Sequence, residues 1–384
     1  MLSFPALIFE DRIMTHPAVT HRRALHRIPE LDNDLPETLR YVESVLAPLG
    51  AEVFSPVKGC LCAYFDAGKP ETVALRADMD ALPVAEMTGL PYASAHEGVM
   101  HACGHDGHTA IELALAEELA RMLADGAALP RNVLFVFQPA EETTGGAEDV
   151  CRSGVFERFC VTRVFGLHLW PKLPLGEVWS RPGPLMARSN EVTLTVKGVS
   201  VHVSRAQEGR DAMRAAVSWM QSAYDYAESL PEDVLRVLQF GHLTAGTVRN
   251  AVAGEARLEG TLRTYREETA QAMRGTLEAL AKEKAEATGC GFSLHFSRGY
   301  PAVWNDEKLF ETTAAGLGAA APKLLPDPVL AAEDFSFYQR AVPGVFFFLG
   351  VGDTAELHSP YFDWDDEAVL PKGVDFMKKL MLLA

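Results

Sequence analysis

Short, nearly unbroken apolar runs recur in the first half of the chain and once more near its end. They are TVALRADMDALP (72–83), NVLFVFQPAEE (132–142), TRVFGLHLWP (162–171) and GVFFFLGVGD (344–353). Runs this short, without polar alternation, predict strands covered on both faces, as in a mainly parallel sheet. Helical periodicities lie between them. HTAIELALAEELARML (108–123) predicts a helix with Asp106 as its N-cap. Alternation of this kind makes an α/β layered domain.

The middle of the chain follows another pattern. In EVTLTVK (191–197), Val192, Leu194 and Val196 alternate with polar residues, predicting a strand with one wet face. A helix over about 209–230 carries Met213, Val217, Met220, Tyr224 and Ala227 on one side. VLRVLQF (234–240) and EARLEGTLRT (255–264) predict two more strands. A second helix follows over about 267–288 with Gly289 as C-cap, then the strand GFSLHFS (291–297). The order βαββαβ predicts a ferredoxin-like α+β domain over residues 185–299, inserted into a host domain of residues 1–184 and 300–384.

A chain of 384 residues fits two domains, since single cores stop growing at roughly 250–300 residues. Its net charge of −17 argues against nucleic acid and anionic membranes, which both reward clustered Lys and Arg. Six cysteines in so long a chain do not make a disulfide scaffold. The N-terminal MLSFPALIFEDRIM lacks the basic region of a secretory leader, and no apolar run approaches the ~20 residues of a membrane span. A cytoplasmic location is therefore expected.

The chemistry gathers where the apolar runs end. Asp78 and Asp80 close the first, Glu141 and Glu142 the second, His168 lies in the third, and His358 follows the fourth. In open α/β sheets, sites form beyond the carboxyl ends of strands. MHACGHDGHTA (100–110) adds Cys103 and His105, one residue apart across Gly104, a spacing that lets thiolate and imidazole converge on one metal ion. Two adjacent buried carboxylates would repel each other without a cation; with one, Glu142 serves as ligand and Glu141 is free to take a proton. Cys103, His105, Glu142, His168 and His358 make five ligands, which suit two bridged ions better than one tetrahedral ion. Asp78, Asp80, His101, Asp106 and His108 suit supporting roles, with Asp80 and Asp106 as candidates to hold a ligand imidazole. A nucleophilic Cys103 with His105 or His108 as base is the rival, but it leaves Glu141, Glu142, His168 and His358 without work.

The motifs RADMDALP, MHACGHDGHTA, FQPAEE, GLHLWP, EDFSFY and LHSPYF together resemble the M20 metallopeptidase family, within it the amidohydrolase branch that includes hippurate hydrolases, N-acyl-amino-acid amidohydrolases and auxin-conjugate hydrolases. The resemblance implies a catalytic α/β domain holding two divalent metal ions (Zn, Mn, Ni or Co) and a ferredoxin-like lid used for dimerisation, with dimers or dimer-based tetramers of the chain. It implies Cys103 as bridging ligand, Glu142 and His358 on one ion, His105 and His168 on the other, Glu141 as general base and Asp80 as the orienting aspartate. In the lid, His202 resembles the histidine that reaches a neighbouring subunit's site to stabilise an oxyanion. Asn250 and Arg263 match substrate positions, Arg263 that of the substrate carboxylate. The run HVSRAQEGRDA departs from the family, which continues with small residues, a proline and a second histidine; this affects pocket shape and acyl preference. The expected reaction is hydrolysis of N-acyl amino acids. An N-acetyl-diaminopimelate deacetylase, a dipeptidase and a non-catalytic metal binder are the alternatives.

Overall fold

The computed structural model describes residues 15–383; the N-terminal stretch judged above for leader character lies outside them. The chain gathers into two compact units. One runs to Trp179 and resumes at Thr313–Lys323 and from Phe347; the other comprises Ser180–Thr312 and Leu324–Phe346.

The first unit is built on a sheet of eight strands. Its order is Glu52–Phe54, Leu61–Phe65, Asn132–Gln138, Thr72–Asp78, Val161–Trp170, Gly344–Gly350, Val178–Ser180 and Lys323–Leu324. Thr72–Asp78 runs parallel to both Asn132–Gln138 and Val161–Trp170. Leu61–Phe65 pairs antiparallel with Asn132–Gln138 at the flank. Every residue of Thr72–Asp78, Asn132–Gln138 and Gly344–Gly350 is buried, which is why these strands carry no polar alternation. Helix His105–Ala124 covers the sheet and packs against helices Pro17–Leu25 and Asp366–Leu382. Its first three turns are buried all round, so its sequence lacks a polar stripe.

This helix begins earlier than the periodicity predicts, and Asp106 is not its cap. Gly104, at φ +87°, holds that position, where glycine avoids the Cβ clash of the left-handed region. Asp106 sits in the first turn, buried against Arg22 and His26.

The second unit holds a four-stranded antiparallel sheet in the order Gly291–Phe296, Arg188–Lys197, Glu255–Thr264, Arg236–Ala245. Helices Ala212–Ser229 and Glu267–Thr288 complete the βαββαβ order, and Gly289 ends the second in the left-handed region. The α/β fold with an inserted α+β unit is thus the one observed. The buried face of Ala212–Ser229 differs from expectation. Met213 and Val217 are exposed, while Ala212, Ala215, Ala216, Trp219, Ala223 and Ala227 face the core. Alanines let helix and sheet approach closely, and Trp219 fills the space, its Nε1 donating to Leu277 O at 3.2 Å. A stripe judged by bulky residues alone misses such a face.

The boundary of the second unit also differs from the 185–299 segment. Strand Val303–Asn305 pairs with Gly183–Met186, Val329 N donates to Leu185 O and Ala187 N to Ala331 O. These bonds tie residues 301–312 and 324–346 to this unit. Among the described residues, no helix is long and apolar enough to cross a membrane.

Candidate metal centre

The loops beyond the central strands of the first unit carry the titratable residues, and two of them hold strained backbones. Ala140, just before Glu141, and His358 both adopt positive φ (+58° and +66°). For residues with a Cβ this costs about 1–2 kcal/mol each and persists where the surroundings enforce it. The Ala140 turn is held by Ala140 N to Asp32 O (3.1 Å) and Gly145 N to Ala140 O (2.9 Å). Gly146 is required beside it, since a Cβ there would lie 2.1 Å from Pro139 O. His358 N donates to Ala102 O at 2.8 Å, tying its loop to the one carrying Cys103.

The predicted ligands come together. Donor atoms of Cys103, His105 and His168 lie within 4.8 Å of one another, and so do those of Cys103, Glu142 and His358. Cys103 is common to both groups. Its Sγ lies 3.5 Å from His168 Nε2, and His358 Nε2 lies 3.1 Å from Glu142 Oε1. Glu141 forms a further group with His105 and Glu142. Four ligands are largely shielded from water, whereas the His358 side chain is 51% exposed.

Hydrogen bonds orient the imidazoles. His105 Nδ1 lies 2.8 Å from Asp80 O and His168 Nδ1 lies 2.6 Å from Leu169 O. A carbonyl only accepts, so both rings carry a proton on Nδ1 and, when neutral, leave Nε2 as a lone pair. His105 Nε2 is buried without a hydrogen-bond partner. Orphaned buried acceptors are costly unless something positive meets them, and a divalent cation does. The soft sulfur, the imidazoles and the carboxylate suit late first-row metals. The residues fit the group.

A second tier holds this arrangement. The Asp80 carboxylate, 1% exposed, accepts Glu141 N and Glu142 N, each at 3.0 Å, one oxygen apiece. It therefore fixes the two glutamates through their backbone. Asp78 Oδ1 receives His108 Nδ1 at 2.6 Å, and His108 Nε2 accepts Leu169 N at 2.9 Å, so one neutral imidazole links two strand ends. Arg76 Nη1 meets the other Asp78 oxygen at 2.6 Å. Burial opposes charge at Asp78, yet Arg76, His105 and His108 hold its carboxyl well below the usual range. Burial, followed by Glu142 and Glu141, pushes the Cys103 thiol up.

A family model described as "Peptidase family M20/M25/M40" matches residues 74–383. The chain belongs to that family. It is a metal-dependent hydrolase of the M20 type. An uncharacterized hydrolase of Staphylococcus saprophyticus is 34% identical over 372 residues, 94% of this chain and 95% of its own length. A solved chain from methicillin resistant Staphylococcus aureus superposes with a TM-score of 0.86 at 30% identity, covering 96% of each chain. The Bacillus subtilis YXEP protein, described as a dinuclear metal binding peptidase from the M20 family, superposes with a TM-score of 0.82 at 30% identity, over 95% of this chain and 96% of its own.

The remaining predicted residues lie in the second unit of this M20 chain. His202 and Asn250 are exposed neighbours: Val203 N donates to Asn250 O at 3.0 Å, and His202 bridges Ala251. Arg263 Nη1 donates to Leu330 O at 2.6 Å. Sequence reasoning missed a buried ionic network in the first unit. Arg22 meets Asp106 (3.2 Å), Asp363 (3.1 Å) and Asp366 (3.4 Å) and stacks on Trp364 at 4.3 Å. His26 Nδ1 lies 2.7 Å from Asp106, and burial there is outweighed by Asp106 and Glu86, which raise His26 to about 9. Asp106 is therefore bound to Arg22 and His26 and not to a ligand imidazole. The basic cluster HRRALHR was the available signal, but nothing local names its acidic partners.

Proposed function

We propose that this chain hydrolyses the amide bond of N-acyl amino acids to a carboxylic acid and a free amino acid. The observation that carries the reading is that Cys103 belongs to both ligand groups, as a bridge between two ions would. On this reading Glu142 and His358 would hold one divalent ion and His105 and His168 the other, the metals being Zn, Mn, Ni or Co. Bound there, the pair would supply an acidified water and a Lewis acid for the acyl carbonyl. The neighbour described as dinuclear supports a pair over a single ion.

The chain's own groups supply the rest. Glu141 belongs to neither group that shares Cys103, and its backbone is fixed by Asp80. Its carboxylate takes a proton from the attacking water and returns it to the departing nitrogen. His202 Nδ1 accepts Ser204 N at 3.2 Å, so the neutral ring carries its proton on Nε2, the form able to donate to an oxyanion. Ser204 belongs to the run that departs from the family, and here it sets that tautomer. Arg263 commits Nη1 to Leu330 O and keeps its other donors for a substrate carboxylate. His202 acts on a neighbouring subunit's site, so the working form is a homodimer or a tetramer of dimers. A cytoplasmic setting accords with a cysteine usage of six in 384 residues, which makes no disulfide scaffold.

The test is a panel of metal-loaded reactions with N-acyl amino acids, N-acetyl-diaminopimelate and dipeptides, alongside elemental analysis. N-acyl amino acids are expected to turn over fastest. E141Q should keep its metal content while turnover falls by on the order of 10²-fold or more. Full activity in E141Q, or no hydrolysis of any panel member with metals loaded, refutes the reading.

A further inference from the structure

Strands Thr72–Asp78 and Val161–Trp170 pair as far as Arg76 opposite Gly166, so His168 and Leu169 lie beyond the ladder. Past that point a side chain holds the strand. Leu169 N donates to His108 Nε2 at 2.9 Å, and Leu169 O accepts His168 Nδ1 at 2.6 Å. One backbone residue thus carries the imidazole of a candidate ligand on its carbonyl and is gripped by His108 through its N–H. Gly107 allows this approach, since a Cβ there would lie 2.5 Å from Leu169 Cδ1.

His108 is itself fixed. It is buried, and its Nδ1 donates to Asp78 Oδ1 at 2.6 Å. The other Asp78 oxygen accepts Arg76 Nη1 at 2.6 Å, and the Asp78 carbonyl accepts Thr109 Oγ1 at 2.8 Å. Arg76 Nε donates to Gln138 Oε1 at 2.8 Å, so the bonds run across the ends of three neighbouring strands. Donor atoms of Asp78, His105 and His108 also lie within 4.8 Å of one another, close enough to hold an ion. His108 has nothing to give one. A neutral imidazole owns one N–H and one lone pair, and Asp78 and Leu169 take both. Its ring contacts run to one side of the centre: its centroid lies 4.5 Å from that of His168, edge-on, and 5.4 Å from that of His105. Glu142 and His358 have their own contact at 3.1 Å.

We propose that His108 is a positioning residue for one ion of the candidate pair. By fixing Leu169 it aims His168 Nε2, so its loss weakens the ion on His105 and His168 and spares the one on Glu142 and His358. The lever is geometric. With Leu169 N released, the strand end is free to shift, and His168 turns with the carbonyl that holds its Nδ1. Outer partners of this kind change metal affinity by roughly 10–100-fold. The proposal rests on the two-ion reading of the centre and on no particular substrate.

The test is metal binding by the full-length chain, stripped and then titrated with Zn²⁺ against a competing chelator, with elemental analysis at each step. Wild type is expected to take two ions. In H108A one ion should bind as in wild type and the other roughly 10–100-fold more weakly. Adding H108A to H358A should weaken the ion that H358A retains, whereas adding it to H168A should change nothing further. Two isosteres separate aiming from packing. Glutamine places an oxygen where Nε2 stood, so H108Q keeps the Leu169 bond and should recover most of the lost affinity. Asparagine reaches only Asp78, so H108N should not recover it. These two variants carry the test should H108A fail to fold. Equal weakening of both ions, no weakening, or matching behaviour of H108Q and H108N overturns the proposal. A wild type that takes a single ion overturns the two-ion reading itself, and the proposal with it.

Discussion

Replacing Asp80 with Asn tests whether the two glutamates are held through their backbone. In the wild type, each Asp80 oxygen accepts one N–H, from Glu141 and from Glu142, at 3.0 Å. Hydrogen bonds to an ionised acceptor contribute about 1.5–3 kcal/mol each. An asparagine keeps one oxygen and turns an NH₂ toward the other N–H, so one bond is lost and two donors face each other. An N–H stranded in a buried site adds about 1–3 kcal/mol. The expected loss is therefore about 2–5 kcal/mol, shared between global stability and local opening of the Ala140 turn. Differential scanning calorimetry should show a midpoint lower by on the order of 5–15 °C. A displacement of the glutamates by about 1 Å should also cut kcat on the order of 10²-fold. Asp80→Asn with an unchanged midpoint and an unchanged kcat would show that Asp80 is a bystander.

Glu112, in helix His105–Ala124, is 3% exposed and burial pushes its carboxyl up to about 8. The folded chain holds that proton where the unfolded chain, near the ordinary value of about 4.5, has lost it. Stability should therefore fall as pH rises from about 4.5 to about 8, by at most about 5 kcal/mol. E112Q removes this contribution, and an unchanged difference between variant and wild-type midpoints at pH 5 and pH 8.5 would refute the burial argument. Arg22→Met leaves Asp106, Asp363 and Asp366 without their shared cation and should cost about 3–5 kcal/mol in urea unfolding. A loss below about 1 kcal/mol would mean that the network is worth no more than a surface pair.

The strands and helices were legible because burial on both faces leaves a local signature. Thr72–Asp78, Asn132–Gln138 and Gly344–Gly350 each fall within an apolar run, Val161–Trp170 starts one residue before its run, and residues 188–296 adopt the βαββαβ order that alternation predicts. The candidate site residues were legible for a related reason: Glu141 and Glu142 end an apolar approach, and Cys103 and His105 flank a glycine, placements that ordinary surface residues do not need. Other features left no such mark. Ala212–Ser229 buries an alanine face with Trp219, because the partner surface decides which stripe faces inward. Asp106 looks like a cap locally, yet pairs with Arg22 from 84 residues away.

By itself, then, the sequence determined which segments become buried strands and which side chains are candidates for metal and acid–base chemistry, since both follow from solvation and from residue type. Only the tertiary structure decided that Cys103 is shared by two groups, that Asp80 grips two backbone N–H groups, and that Arg22 gathers three aspartates. Contacts between residues tens or hundreds of positions apart depend on how the elements pack, and no local pattern encodes the angle at which they meet.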